Sequence, residues 1–188
     1  MRIDGRRMYL DNFKSEDLHR VHAWSQDMEL VELECDNIEA IKRNADIADY
    51  EKNCMPKFIG MNHEADASMC YFGIYRKHND ELIGNVVFMY TDENDAELTV
   101  SICEKEHRNK YYGVDALMVA LKYAFEIKGI RHIIVMTRMT NEPVKNICGK
   151  KFGLDYETEH YKDDYYDVDL VRYVFTKDTY EKAIQEET

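Results

Sequence analysis

The 188-residue chain carries 37 acidic and 25 basic residues, a net charge of −12, which argues against nucleic-acid phosphates or an anionic membrane surface as partner. Apolar residues at 45% and aromatics at 12% suit one folded domain, residues 1–188, with a sizeable core. No apolar run approaches the ~20 residues that span a bilayer, and the opening MRIDGRRMYL lacks a signal-peptide stretch. The five cysteines (Cys35, Cys54, Cys70, Cys103, Cys148) are scattered and no pair has metal-ligand spacing. They read as reduced thiols in a cytoplasmic protein, and no metal is expected.

In chain order, Arg7 to Phe13 reads as a strand. Ser15 is a good N-cap for a helix carrying Leu18, Val21, His22 and Trp24 on one face. Residues 27–40 then hold Asp27, Glu29, Glu32, Glu34, Asp36 and Glu39 without a base. Ile38 to Tyr50 reads as a second helix, and residues 51–69 as a loop. Cys70 to Arg76 and Leu82 to Tyr90 are strands joined by His78-Asn79-Asp80, a hairpin signal. Glu97 to Cys103 alternates with Leu98, Val100 and Ile102 on one side, the period of a strand with one apolar face.

A short polar turn follows, Glu104 to Tyr112, closed by Gly113. Then Val114, Leu117, Met118, Leu121 and Phe125 recur at helical spacing, and Gly129 ends that helix. His132 to Thr137 is a short buried-type strand. Val144, Ile147, Cys148 and Lys151 fall on one face of a short helix with Pro143 in its first turn. Leu154 to Glu159 and Val168 to Thr176 read as a closing pair of strands. Asp178 reads as the cap of a last helix.

A strand that feeds a turn and then a helix N-terminus has a chemical consequence. The first amides of a helix lack partners inside it and carry partial positive charge. Such a turn suits a phosphate or pyrophosphate. Arg108 and Lys110 add two full charges there, in an otherwise acidic chain.

At these residues the sequence resembles the GNAT N-acetyltransferases, whose signature Gln/Arg-x-x-Gly-x-Gly/Ala lies between a strand and a long helix. The six positions here are Arg108, Asn109, Lys110, Tyr111, Tyr112 and Gly113. Arg108 and Gly113 match; Tyr111 departs from the first Gly, which lets backbone approach phosphates with no side chain in the way. The element order resembles the same α/β fold across almost the whole chain, a central mixed, mostly antiparallel sheet flanked by helices. Arg7-Met8-Tyr9-Leu10 with Glu16-Asp17 and Trp24, and Glu81-Leu82-Ile83-Gly84, resemble the subgroup of ribosomal-protein and spermidine acetyltransferases. Asn141 with Phe152-Gly153-Leu154 resembles the family's Asn…Leu-Gly-Phe segment, one residue longer than usual.

The resemblance implies acetyl-CoA as co-substrate. Its pyrophosphate would lie on Arg108, Asn109, Lys110, Tyr111, Tyr112, Gly113 and Val114. Its pantetheine arm would pass Ile102, Cys103 and Glu104, where the family's strand bulges, and Asn141. Asn141 also reads as an N-cap. An aliphatic amine must lose a proton before it attacks a thioester, at a cost of about 3.4 × 1.36, roughly 4.6 kcal/mol, at pH 7. A carboxylate base is the usual answer. Glu97 stands eleven positions before Arg108, a spacing at which several relatives place their base. Glu34 is the runner-up, by analogy with polyamine acetyltransferases that use an early Glu.

The family's Tyr acid, seven residues after the Asn, is replaced by Cys148 or, counted back from Phe152, by Gly149. Cys148 is therefore an acid candidate by chemistry and a core residue by pattern. A Tyr from 156–166 is the alternative, as is departure of the thiolate without an acid. His107 reads as a surface residue.

A second acidic segment holds Asp155, Glu157, Glu159, Asp163, Asp164, Asp167 and Asp169, with Tyr156, Tyr161, Tyr165 and Tyr166. In the family the acceptor site lies between the early helix-loop and this late strand-loop. Glu32, Glu34, Tyr161, Asp163 and Asp164 are thus the acceptor candidates. The expectation is an N-acetyltransferase acting on a small cationic amine such as a polyamine or an aminoglycoside-like base. The alternatives are a protein N-terminal or lysine acetyltransferase and a non-catalytic acyl-CoA-binding module. A homodimer is left open.

Overall fold

The computed structural model describes residues 1–34, 38–54 and 68–186, without the side chains of residues 33, 34, 40 and 186. Its centre is one eight-stranded sheet in the order β1-β2-β3-β4-β5-β6-β8-β7. The strands are β1 Ile3–Asp4, β2 Met8–Asp11, β3 Met69–Arg76, β4 Leu82–Tyr90, β5 Asp95–Ile102, β6 His132–Arg138, β7 Glu157–Lys162 and β8 Asp167–Thr176. Every neighbouring pair is antiparallel except β5 and β6, which run parallel. The helices are α1 Leu18–Ser25, α2 Met28–Glu34, α3 Ile38–Arg43, α4 Ile47–Asn53, α5 Tyr112–Lys122, α6 Glu142–Lys145 and α7 Lys177–Glu186.

Strand alternation sends side chains to opposite faces, and each face has its own core. Leu10, Phe72, Ile74, Val86, Phe88, Ala96, Leu98, Ile133 and Phe175 pack with α5 and its continuation. Tyr9 and Tyr75 pack on the other face with Val21, Trp24, Leu30 and Tyr50 from the early helices. Along α5 and its continuation, Leu117, Leu121 and Phe125 are buried as their spacing predicts, while Val114 and Met118 are half-buried. Ala116 and Ala120, one turn apart, are fully buried and let the helix lie close to the sheet. Burying Leu121 completely contributes about 1.5–3 kcal/mol.

Several boundaries differ from the pattern, each for a local reason. The expected helix over 38–50 is two short helices, α3 and α4; the Asp46 side chain accepts from the Ala48 amide at 2.9 Å and starts the second. Ser15 does not cap α1. A 3₁₀ turn over Ser15–Asp17 precedes it, and the Lys14 amide donates to the Asp17 carboxylate at 2.8 Å. Nor does Asp178 cap the last helix: Thr176 and Thr179 exchange reciprocal amide–hydroxyl bonds there. β7 begins at Glu157 rather than Leu154. The expected loop over 51–69 falls mostly outside the described residues.

α5 continues as a wider π-helical stretch, Tyr123–Lys128. It closes on Gly129 at φ 71°, with the Ile130 amide bonded to the Ala124 carbonyl at 3.0 Å. α6 likewise widens into Asn146–Lys151, where the Phe152 amide reaches back five residues to the Ile147 carbonyl at 3.2 Å. The one extra residue between Asn141 and Phe152-Gly153-Leu154 is absorbed in that wide turn. No helix among the described residues is long and apolar enough to cross a membrane.

Candidate active site

β5 and β6 are paired only at Asp95–Glu97 with His132–Ile134. Beyond Glu97, β5 stays with β4 as far as Ile102, while β6 stays with β8 as far as Arg138. The two strands therefore part into a V with an unpaired backbone edge on each arm. Such edges offer rows of N–H and C=O groups to an extended ligand.

The apex side of this V carries Glu97. It is half-buried, beside Met89 on β4 and Ile134 on β6, on the face opposite α5. Its carboxylate has no hydrogen bond or ion pair among the described residues.

The mouth of the V is built around Gly84. A Cβ there would lie 2.0 Å from the Ser101 carbonyl oxygen, so only glycine lets β4 approach β5 this closely. Immediately afterwards the amides of Cys103 and Glu104 both reach the Ile83 carbonyl, at 2.9 and 3.1 Å. Two residues oppose one, which bends the strand end as expected. Arg108 then folds back onto that end. Its Nε donates to the Ile102 carbonyl at 3.0 Å, one terminal nitrogen to the Cys103 carbonyl at 3.1 Å, and the other to Glu29 at 2.7 Å. Glu104 accepts from the Trp24 indole at 3.2 Å.

The turn closes in left-handed backbone: Asn109 at φ 58° and Tyr111 at φ 66°. For a non-glycine residue this conformation costs of order 1–2 kcal/mol. The Tyr111 ring is 75% exposed, so it points outward, as a phosphate-binding turn requires. Arg7 fixes the turn from outside, donating to the Lys110 carbonyl and to Asp115, each at 2.8 Å. The first helical bond runs from the Asp115 amide to the Tyr111 carbonyl at 3.1 Å. The amides of Tyr112, Gly113 and Val114 precede it and have no partner inside the helix. Nothing lies nearer to a Cβ at Gly113 than Ile102, at 3.8 Å.

Beside this first turn lies a cavity of about 470 Å³ lined by Arg6, Arg7, Tyr111, Val114, Lys122 and Lys151 among others. Four basic side chains gather there in a chain of net charge −12. The residues present therefore fit a diphosphate at the helix start, with a further anionic group alongside.

Across the V, Asn141 caps α6: its side chain accepts from the Val144 amide at 3.4 Å and donates to the Thr137 hydroxyl at 2.8 Å. Cys148 is 1% exposed among core residues, and burial pushes its thiol up to about 12. That is the core role its pattern allowed, and it does not supply an accessible proton. Gly149, the other position for the family's Tyr, lines a second cavity together with Tyr156.

The two acidic segments do meet. The Tyr165 hydroxyl donates to Glu39, and the Tyr166 hydroxyl donates to the Val31 carbonyl at 3.3 Å. Many of their carboxylates already have partners. Lys105 and then Arg108 hold Glu29 below the usual carboxylate range. Arg172 meets Glu157 at 3.2 Å, and His160 sits between Asp167 and Asp169. Asp163 accepts from the Tyr161 hydroxyl at 2.7 Å and from the amides of Tyr165 and Tyr166, so it shapes the β7–β8 turn. Glu32 and Asp164 are exposed, and the Glu34 side chain lies outside the described residues.

Other residues of this site were not singled out by pattern. Arg7 holds the turn, and His107, expected at the surface, is 8% exposed. Arg7 reaches Lys110 and Asp115 from the far end of the chain and His107 meets Glu81 of the β3–β4 hairpin, so no local spacing marks them.

Residues 7–153 match the family description "Acetyltransferase (GNAT) domain". The chain belongs to the GNAT acetyltransferases. The family uses acetyl-CoA, which agrees with the fit of the turn. No curated protein matches the chain in sequence.

Solved GNAT structures match along almost the whole length. Spermidine N-acetyltransferase from Vibrio cholerae, in complex with CoA and spermine, superposes with a TM-score of 0.74 at 16% identity, covering 93% of this chain and 98% of that one. Apo FdhC, a nucleotide-linked sugar GNAT, gives 0.71 at 21%, covering 100% and 97%. A putative ribosomal-protein-serine acetyltransferase from Vibrio cholerae gives 0.62 at 15%, covering 94% and 97%. At these identities the likeness establishes the fold of this GNAT acetyltransferase and leaves its acceptor to the site.

Proposed function

We propose that this protein transfers the acetyl group of acetyl-CoA to a cationic primary amine, a polyamine or an aminoglycoside-like small base. The observation that carries the reading is Glu97. It is a half-buried carboxylate, unpartnered among the described residues, where β5 and β6 begin to part. A carboxylate there can accept, directly or through a water, the proton that an ammonium must lose, a loss that costs roughly 4.6 kcal/mol at pH 7.

The amides at Tyr112, Gly113 and Val114 hold the diphosphate of the cofactor, and the cavity with Lys122 and Lys151 takes its remaining phosphate. The open edges of β5 and β6 hold the pantetheine amides, with Asn141 at the far arm. Arg108 acts indirectly, by fixing the strand end at Ile102 and Cys103. No dedicated acid is needed, because a thiol with a pKa of ~8.5 gives a tolerable leaving group.

Glu32, Tyr161 and Asp164 are the described candidates for the approach of the cationic acceptor, and Asp163 orients Tyr161; the side chain of the further candidate Glu34 lies outside the described residues. The fold neighbour with spermine bound supports an amine of this kind. Cys54, Cys70, Cys103 and Cys148, the described cysteines, form no disulfide, which agrees with a cytoplasmic setting.

The test is Glu97→Gln, which keeps shape but cannot take a proton. Turnover should fall about 10²-fold or more with acetyl-CoA binding intact, and the loss should shrink at high pH, where the amine deprotonates unaided. Wild-type turnover at neutral pH would remove Glu97 from the mechanism.

A further inference from the structure

Behind the turn, against the β3–β4 hairpin, lies a charged cluster centred on Glu81. Its Oε2 accepts from Arg76 at 2.8 Å and from Asn79 at 3.2 Å, and Arg20 stands 3.6 Å from Oε1. Arg76 above all holds the carboxyl down to about 2, so Glu81 is charged at any working pH.

Two arms lead from Glu81 to the start of α5. Arg76 also donates its Nε to the Tyr112 hydroxyl at 3.2 Å. His107 places Nε2 3.3 Å from the same Glu81 oxygen, and its ring stands edge-on to the Tyr112 ring, centroids 5.8 Å apart. That Nε2 is buried and lacks a hydrogen bond of proper geometry among the described residues. Both arms therefore converge on one side chain. Arg7 lies over the same ring at 4.7 Å and donates to the Lys110 carbonyl.

Two simpler readings fit less well. A cation could be imagined among Glu81, Glu106 and His107, whose ligand atoms lie within 4.8 Å of one another. Arg76 and Asn79 already occupy the Glu81 oxygen that faces His107, and two guanidinium groups beside it would repel a metal ion. As a source of stability the cluster is also modest. Arg76 and Glu81 are each 22% exposed, and partly exposed ion pairs contribute little net free energy. What the arrangement does fix is geometry. Tyr112 is the first residue of α5, and its amide is among those that would face the proposed diphosphate. Misplacing such groups by ~1 Å is costly.

We propose that Glu81 is a positioning residue for acetyl-CoA: through Arg76 and His107 it fixes Tyr112, and with it the direction of the amides of Tyr112, Gly113 and Val114. The proposal rests on reading this turn as the diphosphate site.

The experiment is a double-mutant cycle with Glu81→Gln and Tyr112→Phe, reading acetyl-CoA Kd by calorimetry together with steady-state constants for both substrates. Glu81→Gln should raise the cofactor Kd about 10-fold, with kcat at saturating cofactor and the amine KM within about 2-fold, and Tyr112→Phe should raise the cofactor Kd about 5-fold. The double variant should stay near 10-fold rather than reach the product, because both changes cut the same chain. Wild-type protein that does not bind acetyl-CoA would overturn the diphosphate reading and the positioning role together. Wild-type binding with an unchanged Kd in Glu81→Gln, or fully multiplicative losses in the double variant, would overturn the positioning role alone. Should Glu81→Gln not fold, an unchanged Kd in Tyr112→Phe would do the same.

Discussion

The cofactor side and the acceptor side of this molecule use charge in opposite ways. The cofactor side is one continuous stretch, Ile102 to Asp115, cross-braced by Arg7, Arg76 and Arg108 onto backbone carbonyls and a helix start. Its arginines set backbone geometry and leave the amides at the helix start for the proposed diphosphate. The acceptor side is assembled from two acidic segments far apart in sequence, joined through Glu39–Tyr165 and Val31–Tyr166. Much of its negative charge is spent internally, on Lys105, Arg108, Arg172 and His160. A count of acidic residues therefore overstates the field an incoming cation meets.

The largest effect should come from the cofactor side. Acetyl-CoA should raise the melting temperature of the wild type, since a ligand that binds only the native state stabilises it by mass action. Gly113→Asp should abolish that rise by setting a carboxylate beside the diphosphate, although the structure has room for the side chain. A variant that kept the full thermal shift would mean that the helix start is not the binding element.

The acceptor side should respond more gently. Neutralising Glu32 and Glu34 together should raise the KM for a dicationic amine several-fold and leave the cofactor Kd alone. Added salt should mimic this, because the Debye length falls from about 8 Å at physiological ionic strength to about 3 Å at 1 M. A dication should lose more than a monocation of similar size. Kinetics flat from low to high salt would reduce both acidic segments to solvated surface.

The smallest effect is expected at Cys148. Cys148→Ala should cost about 1 kcal/mol of stability, measured by urea unfolding, with turnover unchanged at a temperature where the variant is folded. A large fall in kcat would return this thiol to the chemistry.

The same contrast explains what could be read from the sequence. The strand, turn and helix around Arg108 were legible because alternation, polar turn and helical spacing all lie within one short window. The hairpin at Leu82 and the closing glycine at Gly129 were legible for the same local reason. The parting of β5 from β6 was not, because it depends on which neighbour each strand keeps. The burial of His107 and the bracing by Arg7 were hidden too, since Glu81 and the β1–β2 region reach them only in the folded chain. Helix ends failed where side chains compete for backbone amides: Asp17 took the role expected of Ser15, and Thr176 that of Asp178. The extra residue before Phe152 was visible as a length, but its accommodation as a wide helical turn was not.

One assay tests the central claim most directly: release of the CoA thiol from acetyl-CoA, measured with wild-type protein across a panel of amines at low and high salt. The panel should hold a polyamine, a monoamine of similar length, a peptide with a free N-terminus and an acidic amino acid. The predicted result is thiol release highest with the polyamine, a turnover-to-KM ratio that falls with salt chiefly through KM, and no turnover of the acidic amino acid. Thiol release that is absent with every amine, or highest with a neutral or acidic acceptor, would contradict it.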